Sequence, residues 1–157
     1  MAFLLILSLI LNPFWTGVVF AEKASNSDLS FSVALWADEV RDKGDFDLNP
    51  DGIFKRGERA YAYLELEGFS WEEQEGYLHT DVHVDVALRT KGGFRLFFSE
   101  DLLEFDSLYL NPPENFWFYI YVDVPWWAPR GTYITEIIVR DEISGETLIE
   151  HREIQVR

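Results

Sequence analysis

The stretch YLHTDVHVDVAL at residues 77–88 decides the fold class. Along it, apolar and polar side chains alternate with a period of two, which predicts a β-strand with one face in a core and one face outside. The positions predicted to face inward are Leu78, Val82, Val84, Val86 and Leu88, and the polar row on the other face is His79, Asp81, His83 and Asp85.

The same alternation recurs on both sides of this stretch. It predicts strands at residues 30–37, 59–67, 94–98, 116–124, 132–141 and 147–156, separated by Gly, Pro and Asp clusters. Residues 38–51 and 68–76 are predicted to be polar loops, and one helical turn is predicted at residues 100–105. About seven short strands without a substantial helix predict an all-β domain of two packed antiparallel sheets.

The first 21 residues differ in character from the rest. Residues 3–11 are an apolar run, and Val19-Phe20-Ala21 suits signal peptidase cleavage after Ala21. The sequence therefore predicts a secretory signal peptide at 1–21, a polar linker at 22–29 and one domain at 30–157. An uncleaved membrane anchor and a buried N-terminal segment are the alternatives. We expect a periplasmic or extracellular protein without stable membrane insertion after leader removal.

Composition narrows the function classes. The chain has no cysteine, which excludes thiol catalysis and thiolate metal sites. A formal net charge of −15 repels nucleic acid and favours cations or basic partners. The sequence has no Gly-x-Ser-x-Gly, His-Glu-x-x-His or phosphate-binding glycine loop, so we expect no enzymatic activity and no nucleic-acid binding.

The C-terminal third carries a resemblance. Pro129-Arg130-Gly131-Thr132-Tyr133 is similar to the Pro-x-Gly-x-Tyr corner before the penultimate strand of bacterial immunoglobulin-like domains, and Ile154-Gln155-Val156 resembles their last strand. Phe54-Lys55-Arg56-Gly57-Glu58 resembles the Phe-x-x-Gly-Glu entry of their second strand. The resemblance implies an immunoglobulin-like sandwich without disulfides. Such domains serve as binding modules, spacers or adaptors, and the fold does not choose among these roles.

Residues 47–58, DLNPDGIFKRGE, follow the spacing of an EF-hand calcium loop. Hard oxygen ligands at alternate loop positions are what Ca²⁺ requires. The candidate ligands are Asp47, Asn49, Asp51, the Ile53 carbonyl and Glu58. Pro50 and the strand that follows Glu58 depart from an EF-hand, and a plain acidic turn is the alternative. A structural Ca²⁺ is thus the candidate metal of this loop, and the sequence indicates no required cofactor.

The polar row of residues 79–85 is a second candidate metal site. His79 or His83, together with His151 of the last strand, would suit a zinc ion. The alternative is a solvated polar face.

Aromatic residues form the third candidate site. In residues 116–121, Phe116, Phe118 and Ile120 are assigned to the core, which leaves Trp117, Tyr119 and Tyr121 as a stripe on the other face, followed by Trp126 and Trp127 on a loop. Such a stripe is typical of a surface that binds a protein or stacks against sugar rings. The alternative is a strand covered on both sides, for example by residues 100–110.

These features predict a non-enzymatic exported binding or adaptor module that contacts a protein partner at the cell envelope. The alternative is a carbohydrate-binding module with a structural calcium ion.

Overall fold

The computed structural model describes residues 28–157, which fold into two packed β-sheets. The predicted signal peptide and residues 22–27 of the predicted linker lie outside the described residues. Within residues 28–157 there are ten strands and no helix. The strands are β1 (Ser30–Asp42), β2 (Asp45–Leu48), β3 (Ile53–Phe54), β4 (Arg59–Glu67), β5 (Glu72–Gln74), β6 (Tyr77–Thr90), β7 (Arg95–Tyr109), β8 (Asn115–Asp123), β9 (Gly131–Asp141) and β10 (Glu146–Val156).

The strands divide into a smaller and a larger sheet. The smaller sheet has the order β2-β1-β4-β8, and the larger has the order β3-β10-β9-β6-β5, with β7 also paired to β6. All pairs are antiparallel except the short one between β3 and β10. The prediction of an all-β, two-sheet fold is confirmed, and the seven longest strands correspond to the seven predicted ones.

Three local predictions are wrong. The helical turn predicted at residues 100–105 lies inside β7, where Leu103 and Phe105 pair with Val84 and Val82 of β6. The predicted loop at residues 38–51 contains the end of β1 and all of β2, and the predicted loop at 68–76 contains β5. The β1–β2 hairpin stays extended despite its polarity because Arg41 binds the carboxylates of Asp45 and Asp47 across it.

The core lies between the two sheets. From the smaller sheet it receives the inward residues of β4 and β8, and from the larger sheet those of β6, β9 and β10. Core residues that are at most 6% exposed include Ala62, Leu64, Leu66, Phe118, Val82, Val84, Ile137, Val139 and Ile154. Within residues 28–157 no helix is long and apolar enough to cross a bilayer.

Trp36 connects the two sheets. It belongs to β1 of the smaller sheet, and its indole N–H donates a 2.8 Å hydrogen bond to the Glu153 carbonyl of β10 in the larger sheet. Its ring packs edge-on against Phe54, with the ring centroids 5.9 Å apart. Gly52 lies directly against this ring with a φ of +61°, and an added Cβ would lie 2.7 Å from the Trp36 Cδ1 atom. The turn therefore requires glycine both for its backbone conformation and for space.

We expect Gly52→Ala to lower the free energy of unfolding by about 2–4 kcal/mol, because it combines a left-handed backbone with a clash against Trp36. Gly57→Ala is the matched control, since Gly57 also has a positive φ but would place its Cβ in open space. The control is expected to cost only about 1 kcal/mol. Urea unfolding of both variants measures the difference, and equal losses would contradict the packing role of Gly52.

Candidate functional site

Five aromatic residues lie together on the outer side of the smaller sheet. β4 contributes Tyr61 and Tyr63, and its neighbour β8 contributes Trp117, Tyr119 and Tyr121, all on the side away from the core. We call this group the aromatic face. The alternation along β8 is as predicted: Phe116, Phe118 and Ile120 are buried in the core.

The rings of the aromatic face form a ridged surface. Trp117 stacks on the buried Tyr63 with centroids 6.1 Å apart and planes 26° apart. Tyr61 stands between Tyr119 and Tyr121, 5.9 Å from each ring, with interplanar angles of 61° and 53°. The exposed rings therefore present edges as well as faces.

The aromatic face is open to solvent. Tyr119 is 42% exposed and Tyr121 is 51% exposed. The alternative in which residues 100–110 cover this strand is wrong, because those residues pair with β6 in the larger sheet. Trp126 and Trp127 follow β8 in a turn closed by the Ala128 amide and the Pro125 carbonyl, and both side chains are exposed.

Arg59 organises one end of the aromatic face. Its guanidinium lies 4.1 Å from the centre of the Tyr121 ring and donates a 2.7 Å hydrogen bond to Asp123. This pair lowers the pKa of the Asp123 carboxyl below its usual value. The sequence pattern alone did not identify Arg59 or Tyr61 as site residues, because their role depends on β4 lying beside β8.

The predicted calcium loop surrounds a polar groove beside Tyr61. The groove has a volume of about 840 Å³ and is lined by residues that include Asp38, Glu39, Asp47, Asn49, Glu58, Arg59 and Tyr61. The structure therefore brings four of the five predicted calcium ligands, Asp47, Asn49, Ile53 and Glu58, to the same groove as one edge of the aromatic face.

The side chains of three predicted calcium ligands, Asp47, Asn49 and Glu58, already have partners within the chain. Asp47 accepts hydrogen bonds from Arg41, which lower the pKa of the Asp47 carboxyl. The Asn49 amide oxygen accepts from the Ile53 N–H, and its nitrogen donates to the Ile53 carbonyl. Glu58 accepts from the Lys55 N–H, and this hydrogen bond lowers the pKa of the Glu58 carboxyl. These contacts are those of a self-bonded turn, and the calcium site stays a prediction.

The polar row on β6 is an ion-pair network. Asp85 is buried on the outer face of the sheet, where it accepts hydrogen bonds from Arg140 of β9 and from the Asp101 N–H of β7. Asp101 lies at an irregularity in the β6–β7 register and has a φ of +49°. This conformation aims the Asp101 carboxylate at His83, 2.8 Å from its Nδ1 atom.

His83 is held between two carboxylates. Its Nε2 atom lies 2.9 Å from Asp81, opposite the Asp101 contact. The hydrogen bond with Asp101, more than that with Asp81, raises the pKa of His83 above its ordinary value. His79 is similar: its hydrogen bond with Asp106 raises the pKa of the imidazole.

The predicted pairing of these histidines with His151 is not present. His151 lies beside Glu136, which pairs with Ala87, four residues along β6 from His83 and therefore roughly 13 Å away. Instead, β7 places Asp101 and Glu104 near His83, and one ligand atom from each of the three lies within 4.8 Å of the others. Neither acid was predicted to lie near His83, because the predicted strand stops at residue 98 whereas β7 continues to Tyr109.

The fold is shared with known structures at low sequence identity. The C-terminal domain of Wzt is similar with a TM-score of 0.53 and 7% identity, over 87% of this chain and 78% of that one. An immunoglobulin-like protein from Pseudomonas aeruginosa matches with a TM-score of 0.35 and 14% identity, over 87% and 98% of the two chains. Murine CRIg matches with a TM-score of 0.33 and 11% identity, over 67% and 88%. The domain is an all-β sandwich of two packed sheets.

No protein-family model matches the sequence, and no curated protein is similar to it. The structural similarities show the fold alone, so the function has to be argued from the geometry of this chain.

We expect His83 to make stability depend on pH. Because its pKa is raised in the folded state above 6.5, its contribution is fully present below pH 6.5 and is lost as the pH rises through the folded-state value. The melting temperature should therefore fall less between pH 6 and pH 8 in His83→Gln than in the unmodified protein. His151→Gln, at an exposed position, is the control and should leave the difference unchanged. An identical pH dependence in His83→Gln would contradict this role.

A thermal melt with calcium tests residues 47–58. Because Asp47 and Glu58 are bonded to Arg41 and Lys55, we expect excess Ca²⁺ and a chelator to give the same melting temperature. A ligand bound only by the native state raises the melting temperature by mass action. A rise of several degrees that Asp47→Ala, Asp51→Ala removes would overturn this expectation and establish the metal site.

Proposed function

We propose that this protein is a non-enzymatic binding module that takes an extended, basic segment of a partner protein along β8, against the aromatic face. The proposal also includes export, from the predicted signal peptide, and a role at the cell envelope. The observation that carries it is the character of β8 as an edge strand.

β8 is an unprotected edge. Among the described strands it pairs with β4 alone, which leaves one side of a nine-residue strand without backbone partners. Its sequence, NFWFYIYVD, contains neither lysine nor proline. Natural proteins protect exposed edges with charges, proline, bulges or short strands, and a long apolar edge is a template for another chain.

The other long edge strand shows the contrast. β7 also ends a sheet, but it carries Glu100, Asp101, Glu104 and Asp106 and is interrupted by the irregularity at Asp101. These features oppose the addition of another strand. Among the strands of residues 28–157, the long edge of β7 is thus protected and the long edge of β8, beside the aromatic face, is open.

The aromatic face would supply specificity for a strand added to β8. In this mode of recognition, main-chain hydrogen bonds to the edge give affinity, and pockets for alternate side chains give specificity. Tyrosine, tryptophan and arginine are the residues most enriched at the energetic centres of protein interfaces. Tyr61, Tyr119 and Tyr121 pack at steep angles to one another and form a ridged surface against which the side chains of a peptide would lie.

The charge of the protein favours a basic partner. With a net charge of −15, association with a cationic segment is accelerated by long-range attraction. Exposed tyrosine rings also attract ammonium and guanidinium groups through their faces, as Tyr121 already does with Arg59.

A second candidate function is carbohydrate binding. The specific observation in its favour is the polar groove beside Tyr61, where carboxylates, the Asn49 amide and Arg59 adjoin an aromatic ring. Sugar hydroxyls would bond to these groups while a sugar ring stacks on Tyr61. The steep angles between neighbouring rings favour the peptide over a flat polysaccharide.

Peptide display tests the main proposal. We expect the unmodified protein to select peptides rich in lysine, arginine and strand-forming residues. The double variant Tyr119→Ser, Tyr121→Ser should weaken their binding at least about 10-fold, because removing central aromatic side chains from an interface costs more than 1 kcal/mol each. Isothermal titration with the selected peptides measures the effect.

Tyr77→Ser is the matched control, since Tyr77 is 45% exposed but lies on β6 of the larger sheet. It should bind the peptides as the unmodified protein does. Equal binding by the double variant would show that the aromatic face is not the site. Quenching of tryptophan fluorescence by a soluble glycan, with no selected peptide, would favour the carbohydrate function instead.

A further inference from the structure

A second, separate cavity lies at the end of the sandwich where β8 ends. It has a volume of about 820 Å³, within the range of small-molecule sites. Its lining is almost entirely apolar, and both sheets and the segment that connects β8 to β9 contribute to it. Residues that define it are Leu88, Leu96, Phe97, Val122, Trp127 and Ile154.

The floor of this cavity is the core itself. Val124, Ile154 and Val156 are all buried and belong to the main hydrophobic cluster between the sheets. β8 ends at Asp123, and the chain then turns at residues 125–129. The cavity arises because this turn covers the end of the sandwich in place of a continued strand. The Tyr133 hydroxyl fixes the turn by donating a 2.7 Å hydrogen bond to the Pro129 carbonyl.

The rim of the cavity is apolar and open to solvent. Leu96 is 49% exposed, Phe97 is 51% exposed and Trp127 is 64% exposed. Their neighbours Phe94 and Trp126 are more exposed still. Apolar patches of this kind, continuous with a cavity, mark places where a ligand or membrane removes surface from water.

The charges around the cavity define the chemistry of its occupant. Asp123 is the one charged residue among the described residues that line it. That carboxylate is already bonded to Arg59, at 2.7 Å and 3.3 Å. The residues that line the cavity therefore include no cation to hold a carboxylate or phosphate. The remaining polar side chains at the mouth, such as Thr90, suit a hydroxyl or ester group.

We propose that this cavity binds one uncharged, lipid-like molecule, with an aliphatic body between the two sheets and a neutral polar head at the mouth. The aliphatic part packs on Val124, Ile154 and Val156, and the rim residues Phe97 and Trp127 close over it. Apolar burial drives binding, and the lack of a cation in the lining selects against fatty acids and phospholipid anions. This site is independent of the peptide surface proposed for β8, although Tyr121 borders both.

Displacement of an uncharged dye tests the proposal. N-phenylnaphthylamine should bind the purified protein saturably at one site per chain, with increased dye emission. Hexadecanol should displace it, and palmitate at neutral pH should do so at least about 10-fold less well, since a carboxylate beside Asp123 has no counter-charge. The two competitors differ chiefly in the head group, so their ratio isolates the effect of charge.

Two variants test whether the dye binds in this cavity. Ala128→Trp fills the space beside a buried lining position, and Leu96→Glu puts a charge at an exposed position on the rim, where folding is not at stake. Each should weaken dye binding at least about 10-fold with little change in melting temperature for Leu96→Glu. Tyr119→Ser, on the aromatic face, is the control and should bind normally.

Several outcomes would overturn the proposal. These are the absence of saturable dye binding, binding that Leu96→Glu leaves unchanged, and palmitate displacing the dye better than hexadecanol. Loss of peptide binding in Tyr119→Ser, which does not line the cavity, with dye binding intact would separate this site from the one on β8.

Discussion

The contact between the two sheets is the constraint on which the rest of this molecule depends, and it is made without a covalent bond. The chain has no cysteine. Trp36 takes the bridging position, with its ring in the core and its N–H on the Glu153 carbonyl of the opposite sheet. Gly52 can lie against that ring because it has no side chain. The acidic turn before β4 is therefore fixed by packing against Trp36 as well as by its own hydrogen bonds.

The two long edge strands of the sandwich, β7 and β8, differ in charge and in regularity. β7 is acidic and irregular, with the Asp101 carboxylate turned back to His83 and its N–H bonded to the buried Asp85. β8 is regular and aromatic, and it is unpaired on one side within the described part of the chain. A strand can be added where backbone groups are free and side chains tolerate burial. By both criteria the edge of the smaller sheet, rather than that of the larger, is the better template for an added strand.

The sequence predicted what depends on local periodicity and missed what depends on pairing. Alternation along one strand was enough to put Trp117, Tyr119 and Tyr121 opposite the core. It could not show that β4 lies beside β8, which brings Tyr61 and Arg59 to the same surface. Spacing suggested calcium ligands at Asp47 and Glu58, but spacing carries no information about Arg41, which binds Asp47 across a hairpin. The acidic residues of β7 were missed for a related reason: Asp101 and Glu104 interrupt the apolar pattern, and β7 continues past residue 98 because the residues on both sides of Asp101 pair with β6.

The same charge imbalance shapes both proposed sites. The chain has 13 basic and 28 acidic residues. Two arginines near the sites bind carboxylates: Arg41 binds Asp45 and Asp47, and Arg59 binds Asp123. Arg59 stands where the aromatic face meets the apolar cavity, and its guanidinium is engaged by Asp123 there. Each site can then accept what an acidic surface does not repel. On the exposed aromatic face the expected ligand is a basic segment, whose charge stays solvated and is attracted by the acidic protein. In the cavity the expected ligand is a neutral molecule. A cation in the cavity would lose its hydration, and no carboxylate is free to replace the lost water.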